Sequence, residues 1–314
     1  MQRQLTDNLL LRPVQSDDDV ERLAAFYSAI HSDTPDPDQR IGAWAAQALT
    51  PGGHPTVTWE DFLLVEDVST GEVVSSLGII PQTWAYAGIP FGVGRVELVG
   101  THPDYRGRGL IRAQFEAIHA RCDELGLPVQ AITGIPYFYR QFGYEFALDL
   151  EGGWHIPLSA IPETPADSPF SMRVWAEEDF PGDLPRLQAL YERAARGKLV
   201  TCLRPDDHWH HRYLAQDPRS ISHRWLYVIA RAEAVVGYAV ILAETWGTRA
   251  LVSELVLDAP YPEIVPWLLP RLRDEIGLRL GDASPPVTTM FLSLTARHPI
   301  VPYLARYYPI RRKP

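Results

Sequence analysis

The sequence predicts an α/β (α+β) chain made of two copies of one fold. Three observations carry this. Short β-branched runs with turn punctuation alternate with helical apolar periods. One strand–helix–hairpin–strand plan is written twice along 314 residues. Only the first copy runs its last strand of that plan into a glycine-arginine loop and a further helix.

Residues 11–27 read as a strand, an acidic helix start and an amphipathic helix. Leu63–Val65 and Val73–Ile80 read as a hairpin. Arg95–Thr101 is a β-branched strand, followed by His102-Pro103-Asp104-Tyr105 and the loop Arg106-Gly107-Arg108-Gly109. Ile111, Phe115, Ile118, Cys122 and Leu125 then mark one helical face, with Gly126 as its stop. A short strand is expected near Val129–Ile132. Residues 152–170, rich in proline and turn formers, read as the first copy's last strand followed by a linker. The domain boundaries expected are 1–155, a linker at 156–170, and 171–314.

Residues 172–191 repeat the opening plan, Arg173 matching Arg12 and Tyr191 matching Tyr27. Leu226–Ala230 with Ala234–Leu242 repeats the hairpin, and Glu254-Leu255-Val256 repeats Glu97-Leu98-Val99. The second copy then continues Asp258-Ala259-Pro260-Tyr261-Pro262-Glu263, with no glycine and no arginine. Two carboxylates there repel a phosphate. Pro302-Tyr303-Leu304-Ala305-Arg306 echoes Pro136–Arg140 but puts Ala305 in place of Tyr139. The second copy is expected to be degenerate and without chemistry.

Composition bounds the partners. With 46% hydrophobic and 22% charged residues the chain reads as globular. A formal charge of −10 argues against nucleic acid and anionic membrane surfaces and mildly favours a cationic partner. Cys122 and Cys202 make neither a disulfide framework nor a zinc site. No signal peptide or membrane-spanning run is apparent, so a reducing cytoplasm is expected. His208-Trp209-His210-His211 lacks a carboxylate or cysteine partner at metal-site spacing and reads as a partly exposed aromatic helix face. No metal is expected.

The loop carries the chemistry. A helix start offers unpaired N–H donors and about half a positive charge. Gly107 and Gly109 let the backbone approach a phosphate, and Arg106, Arg108 and Arg112 surround it. A P-loop is excluded because Gly109 is followed by Leu110-Ile111. A dinucleotide fingerprint is excluded because Arg112 stands at its third glycine.

What remains resembles the pyrophosphate loop of the GNAT superfamily of acetyl-coenzyme A-dependent N-acetyltransferases, Arg/Gln-x-x-Gly-x-Gly/Ala. Arg106-Gly107-Arg108-Gly109-Leu110-Ile111 matches it except for Ile111 at the small position. Tyr137–Glu145 resembles the Tyr-x-x-Phe-Gly-Tyr/Phe segment of the same superfamily. An active first domain before a degenerate second one is similar to the enhanced-intracellular-survival family of aminoglycoside and lysine acetyltransferases. Its loop, Arg-x-Arg-Gly-Leu-Leu/Ile, accommodates Ile111, and its tyrosine segment differs at Gln141, where that family has arginine. Family members add a sterol-carrier-like domain whose terminal carboxylate acts as base. Here the sequence ends at Arg311–Pro314, so that part of the mechanism is not carried over.

The resemblance implies two tandem GNAT-like domains, each a mixed, mostly antiparallel twisted sheet flanked by helices. It implies acetyl-coenzyme A as co-substrate, the pantetheine arm along Val99, Gly100 and Thr101, and the pyrophosphate on Arg106, Gly107, Arg108, Gly109, Leu110, Ile111 and Arg112. The amide near Val99 would polarise the thioester carbonyl. Tyr139 is the expected acid for the leaving thiolate, with Tyr137 and Tyr144 as packing residues. Alternation puts Arg95, Glu97, Val99 and Thr101 on one strand face. Many enzymes of the superfamily place a base, often a glutamate acting through water, on this strand. The resemblance thus makes Glu97 the candidate base, while Glu254 at the matching place in the degenerate copy tilts the reading toward a structural carboxylate. The acceptor is a small-molecule or peptide amine, in a pocket expected from Ser32–Thr50 and Ile80–Gly92 with Trp84 as a wall. A homo-oligomer is left open. Two alternatives stand: a tandem protein similar to mycothiol synthase, whose active half is however the C-terminal one, and a non-catalytic acyl-coenzyme A-binding regulator.

Overall fold

The computed structural model describes residues 2–32, 36–148 and 152–313. In chain order the first elements are β1 (Arg3–Thr6), β2 (Leu9–Pro13), α1 (Asp17–Ile30), α2 (Gln39–Leu49), β3 (Phe62–Asp67), β4 (Glu72–Tyr86), β5 (Ile89–Thr101), α3 (Leu110–Glu124) and β6 (Val129–Ala131). The chain continues through β7 (Gly153–Pro157), β8 (Phe170–Val174), α4 (Phe180–Ala195), β9 (Val200–Cys202) and α5 (Asp206–Tyr213). It ends with β10 (Arg224–Arg231), β11 (Ala234–Trp246), β12 (Arg249–Leu257), α6 (Tyr261–Leu280), β13 (Thr289–Leu292), α7 (Val301–Tyr307) and β14 (Arg311–Lys313). No helix among the described residues is long and apolar enough to cross a membrane.

Two compact units result: 1–147 with 197–211 and 215–221, and 148–196 with 212–214 and 222–314. Each holds a seven-stranded mixed sheet flanked by helices. The first runs β1-β2-β3-β4-β5-β6 with β9 on β4; the second runs β14-β7-β13-β12-β11-β10-β8. In each, one parallel pair (β5/β6, β12/β13) closes an otherwise antiparallel set.

The expected last strand of the first copy lies elsewhere. Gly153–Pro157 pairs with β13 and β14 in the second sheet. Ile156 is buried in that sheet's core, and Gly153 packs where a Cβ would strike the Phe291 ring and the Leu292 carbonyl. Val200–Cys202, from beyond the expected linker, pairs with Trp84–Tyr86 in the first sheet.

In the first unit, alternation along β3 divides two cores. Leu63 and Val65 join Leu77, Ile79, Val96 and Phe115 under α3. Phe62 and Leu64 join Tyr27, Leu23 and Leu49 under α1 and α2. Period-2 strand geometry sends neighbours to opposite faces, so one strand anchors both layers. Ser16 caps α1 by accepting from the Asp19 N–H, as its acidic start predicts. The α3 face differs from the periodic reading. Gly109 caps the helix at φ +75°, so Leu110 rather than Ile111 turns inward, Ile111 is half-buried, and Leu125 falls at the exposed C-terminal end. Gly126, at φ +66°, ends the helix as expected.

Candidate active site

β5 and β6 pair only as far as Arg95 opposite Ala131. Beyond that point the strands separate, and the residues of interest stand around the split. Against β4 the register slips: Gly78 faces Glu97, yet Ser76 faces Gly100, leaving Leu98 and Val99 opposite Leu77 alone. This bulge holds Leu98 at φ +56°, a left-handed conformation that is costly for a side chain with a Cβ.

The bulge overturns the expected alternation. Gly94 abuts Cys122 and Val96 joins the core under α3, so Arg95 and Glu97 face the other layer. Past the bulge Leu98 packs with the α1 and α2 core, Val99 with the α3 core, and Gly100 against Ile30 and Phe26 of α1. Val99 and Thr101 therefore lie across the sheet from Arg95 and Glu97. A one-residue bulge leaves no mark in a β-branched sequence, so strict alternation could not find it. Thr101 is tied down through its hydroxyl to Ser75 (2.9 Å), which also receives the buried Gln114 amide (2.7 Å).

The loop brings its residues together at the start of α3. Gly107 and Gly109 both have φ +75°, with nothing within 4 Å of where a Cβ would be. The backbone is open there for a close ligand. Arg106 donates to the Thr101 carbonyl (3.3 Å), Arg108 to the Asp104 carbonyl (2.9 Å), and Arg112 to Gln141 (3.1 Å). Arg108 also lies over the Tyr105 ring and Arg112 over Phe142. Tyr105 is anchored by its hydroxyl to Asp67 (2.8 Å). Among the described residues none of the three arginines has a carboxylate partner. Three exposed arginines at a helix start, without a carboxylate partner among the described residues, are chemically suited to an anion.

Tyr139 sits in a short helical turn, Phe138–Phe142, with its ring against Phe115, Phe138 and Tyr144. A Cβ at Gly134 would lie 2.1 Å from that ring, so glycine is required for Tyr139 to take its place. Among the described residues its hydroxyl has no hydrogen-bond partner. Burial, and then the Glu97 charge, raise its ionisation above the usual tyrosine range, which keeps it protonated at neutral pH. The Tyr144 hydroxyl bonds Gln130 and its ring packs against Phe115, whereas Tyr137 is exposed at φ +67° and is not packed in the core.

Glu97 pairs with Arg95 at 3.1 Å. Burial raises its carboxyl above the usual range and Arg95 opposes that rise. Near the bulge stands His31, the C-cap of α1, hydrogen-bonded to the Leu98 backbone and held neutral by burial. Sequence reading passed it over because a lone histidine after a helix carries no pattern.

The acceptor loops expected from sequence are mostly regular structure. Ser32–Thr50 contains α2, with residues 33–35 outside the described residues, and Ile80–Gly92 is the β4–β5 hairpin. Trp84 stands four positions along β4 from Ile80, the partner of Arg95 at the split, or about 13 Å away. A cavity of about 330 Å³ lined by Thr56, Gln82, Thr83, Leu127 and His208 reaches Gly92, at the opposite end of β5 from the bulge. Trp209 is buried, and His211 packs edge-on against His54. Among the described residues no group of three or more histidine, cysteine or carboxylate side chains could hold a metal ion.

A family model described as Acetyltransferase (GNAT) domain matches residues 11–147. That stretch contains the bulge, the glycine-arginine loop and Tyr139. No curated protein sequence matches the chain. Solved structures share its fold across both units. N-myristoyltransferase of Saccharomyces cerevisiae with bound myristoyl-CoA superposes with a TM-score of 0.66 at 11% identity, covering 93% of this chain and 78% of that one. A GCN5-related N-acetyltransferase from Kribbella flavida gives 0.60 at 17%, covering 98% and 70%. Eis1 from Mycobacterium abscessus gives 0.55 at 18%, covering 98% and 71%. At these identities the likeness is one of fold.

Proposed function

We propose that the first unit is an acetyl-coenzyme A-dependent N-acetyltransferase acting on a small-molecule or peptide amine, and that the second unit carries no chemistry. The observation that supports this most is the open glycine-arginine cradle at the start of α3, on the same unit as a protonated, unpartnered tyrosine at the strand split. The donor set suits a pyrophosphate: backbone N–H groups from Gly107 to Arg112 and three uncompensated guanidinium groups. When bound, coenzyme A supplies an activated acyl thioester. Val99, Gly100 and Thr101 hold the pantetheine arm, and the Val99 amide polarises the carbonyl.

Acyl transfer forms a C–N bond, breaks the C–S bond, and needs a proton removed from nitrogen and one delivered to sulfur. Tyr139 delivers the proton to sulfur, a task that matches a phenol kept protonated by burial. Glu97 takes the proton from nitrogen, directly or through water, its raised carboxyl being a better base than an exposed glutamate. The likeness to an enzyme binding myristoyl-CoA widens the donor class to test, so acetyl and longer acyl thioesters belong in one panel. Thiol release from these donors, with and without amines, tests the reading. Amine-dependent release supports it. Tight donor binding with no release from any amine overturns it in favour of a binding protein.

A further inference from the structure

The two charges at the mouth of the split bear on what kind of amine enters. Arg95 is the last β5 residue paired to β6, and Glu97 follows two positions on, so both project from the same face just where the strands part. Neither is sealed in: their side chains keep 35% and 26% exposure. They form one ion pair, Nη2 to Oε1 at 3.1 Å. The rest of the guanidinium fork is underused, and Nε has no acceptor among the described residues. An unsatisfied donor on a half-buried cation is uncommon and calls for an explanation.

Two titratable neighbours of the pair stay neutral. His54, which lies near Arg95, is pushed down to about 3 by burial and by His211, His208 and Arg95, so it stays neutral. Tyr139 stays protonated. The pair is thus self-neutralising while empty. A simple amine arrives as an ammonium, takes Glu97, and strips Arg95 of its counter-charge in a half-buried place. Leaving one member of such a pair alone is the costly outcome. An acceptor bringing its own carboxylate beside the amine restores neutrality and gives the guanidinium a new charge-assisted acceptor.

We propose that the acceptor is a zwitterion, a free amino acid with amine and carboxylate one or two carbons apart, its ammonium received at Glu97 and its carboxylate at Arg95. This rests on the transferase reading and narrows it. Polycations and the side-chain amines of proteins then fit poorly, because they bring no adjacent anion. The product is an N-acyl amino acid. The ammonium gives one proton to solvent through Glu97 to become the attacking amine, and the C–N bond forms as the C–S bond breaks. The second nitrogen proton leaves through Glu97, and Tyr139 protonates the departing thiolate and is reprotonated in turn.

The test uses the full chain with matched pairs: glycine, alanine, leucine and phenylalanine against their carboxamides. Thiol release is followed with acetyl-coenzyme A, and each compound is titrated calorimetrically into protein saturated with coenzyme A. Acids are expected to exceed amides by about tenfold or more in kcat/KM, although the amides offer more neutral amine at pH 7. Arg95→Gln should erase that preference, bringing the acid-to-amide ratio in kcat/KM from about tenfold down to about one. Amides matching or beating acids overturns the proposal, as does an Arg95→Gln variant that lowers both alike. Acids that bind through Arg95 without any thiol release support the zwitterion site while sinking the transferase reading. Coenzyme A binding with no acid bound or turned over overturns the zwitterion site alone. If Arg95→Gln fails to fold, the acid-to-amide ratio of the wild type still decides.

Discussion

The two copies of the fold differ most at one step, from the strand after the hairpin into the next helix. In the first unit that step leaves cations without partners: Arg106, Arg108 and Arg112 donate only to carbonyls and an amide oxygen, around two left-handed glycines. In the second unit Asp258 occupies the step, and Arg186 (2.7 Å) and Arg193 both clamp it. Their hydrogen bonds hold its carboxyl below the usual range. An anion that the first unit lacks is thus built into the second. The glutamates diverge in the same way. Glu254 accepts from Tyr213 (3.0 Å), Tyr238 (3.2 Å) and Arg212 (3.4 Å), whereas among the described residues Glu97 has Arg95 alone. The arginine at the apex is also lost: Val252 is the last β12 residue paired to β13, where Arg95 stands in the first unit. The two units differ at this step in which polar groups are paired among the described residues, not in fold.

The contrast can be broken at several points. The largest effect is expected at Tyr139, whose counterpart is Ala305. Tyr139→Phe should lower turnover by about 10² to 10⁴, the usual worth of a positioned acid, with donor affinity unchanged by calorimetry. Turnover like the wild type would remove Tyr139 as the acid. Next comes the loop. Arg106→Ala with Arg108→Ala should weaken coenzyme A binding by about two orders of magnitude, each charge-assisted contact being worth about 1.5 kcal/mol or more. Arg186→Ala with Arg193→Ala should leave that binding untouched and cost only about 1 kcal/mol of unfolding free energy, because those pairs are exposed. Equal loss of affinity in both double variants would mean the second unit also holds the donor.

The glutamates give a sharper and smaller test. Glu97 has a carboxyl raised by burial, so the native state holds its proton more tightly than the unfolded chain does. Its contribution to stability is present below the ordinary glutamate range and lost as pH rises through the raised value. Glu97→Gln should therefore leave stability at pH 7 unchanged or slightly higher, while removing the acid limb of the rate profile. Glu254→Gln should instead cost about 1–3 kcal/mol by urea unfolding, since it upsets hydroxyls and a guanidinium that need an acceptor. A rate profile with the same acid limb in Glu97→Gln would exclude Glu97 as base and return it to a structural role.

Much of this was legible in the residues. Glycines and arginines name their own function when they interrupt an apolar period, and the acidic start of α1 and the stop at Gly126 follow from capping chemistry alone. Two things were not legible. The exchange of strands between sheets depends on which apolar edge Gly153–Pro157 meets, a non-local choice that no local pattern encodes. The bulge was hidden because Leu98 looks like any strand leucine, and only its register against Ser76 and Gly78 reveals it. Both omissions concern pairing rather than composition, and the second moved Glu97 to the opposite face from Val99.

That bulge yields the smallest effect and the most direct comparison. In the first unit Leu98 and Val99, two residues facing Leu77 alone, follow the glutamate, and Leu98 sits at φ +56°. In the second the slip comes before it, with Ser253 extra between Val252 and Glu254. Leu255, the counterpart of Leu98, is not among the residues with positive φ. Removing the side chain should therefore favour opposite replacements at the two places. At Leu98, glycine relieves a conformation that alanine must still endure, so Leu98→Gly should be more stable than Leu98→Ala by about 1 kcal/mol. At Leu255 the strand is ordinary, and glycine should be worse than alanine by about 0.5–1 kcal/mol through lost backbone entropy. Chemical unfolding of the four variants reads the order directly. The same order at both sites would mean that Leu98 is not held left-handed in solution, and the placement of Glu97 opposite Val99 would fall with it.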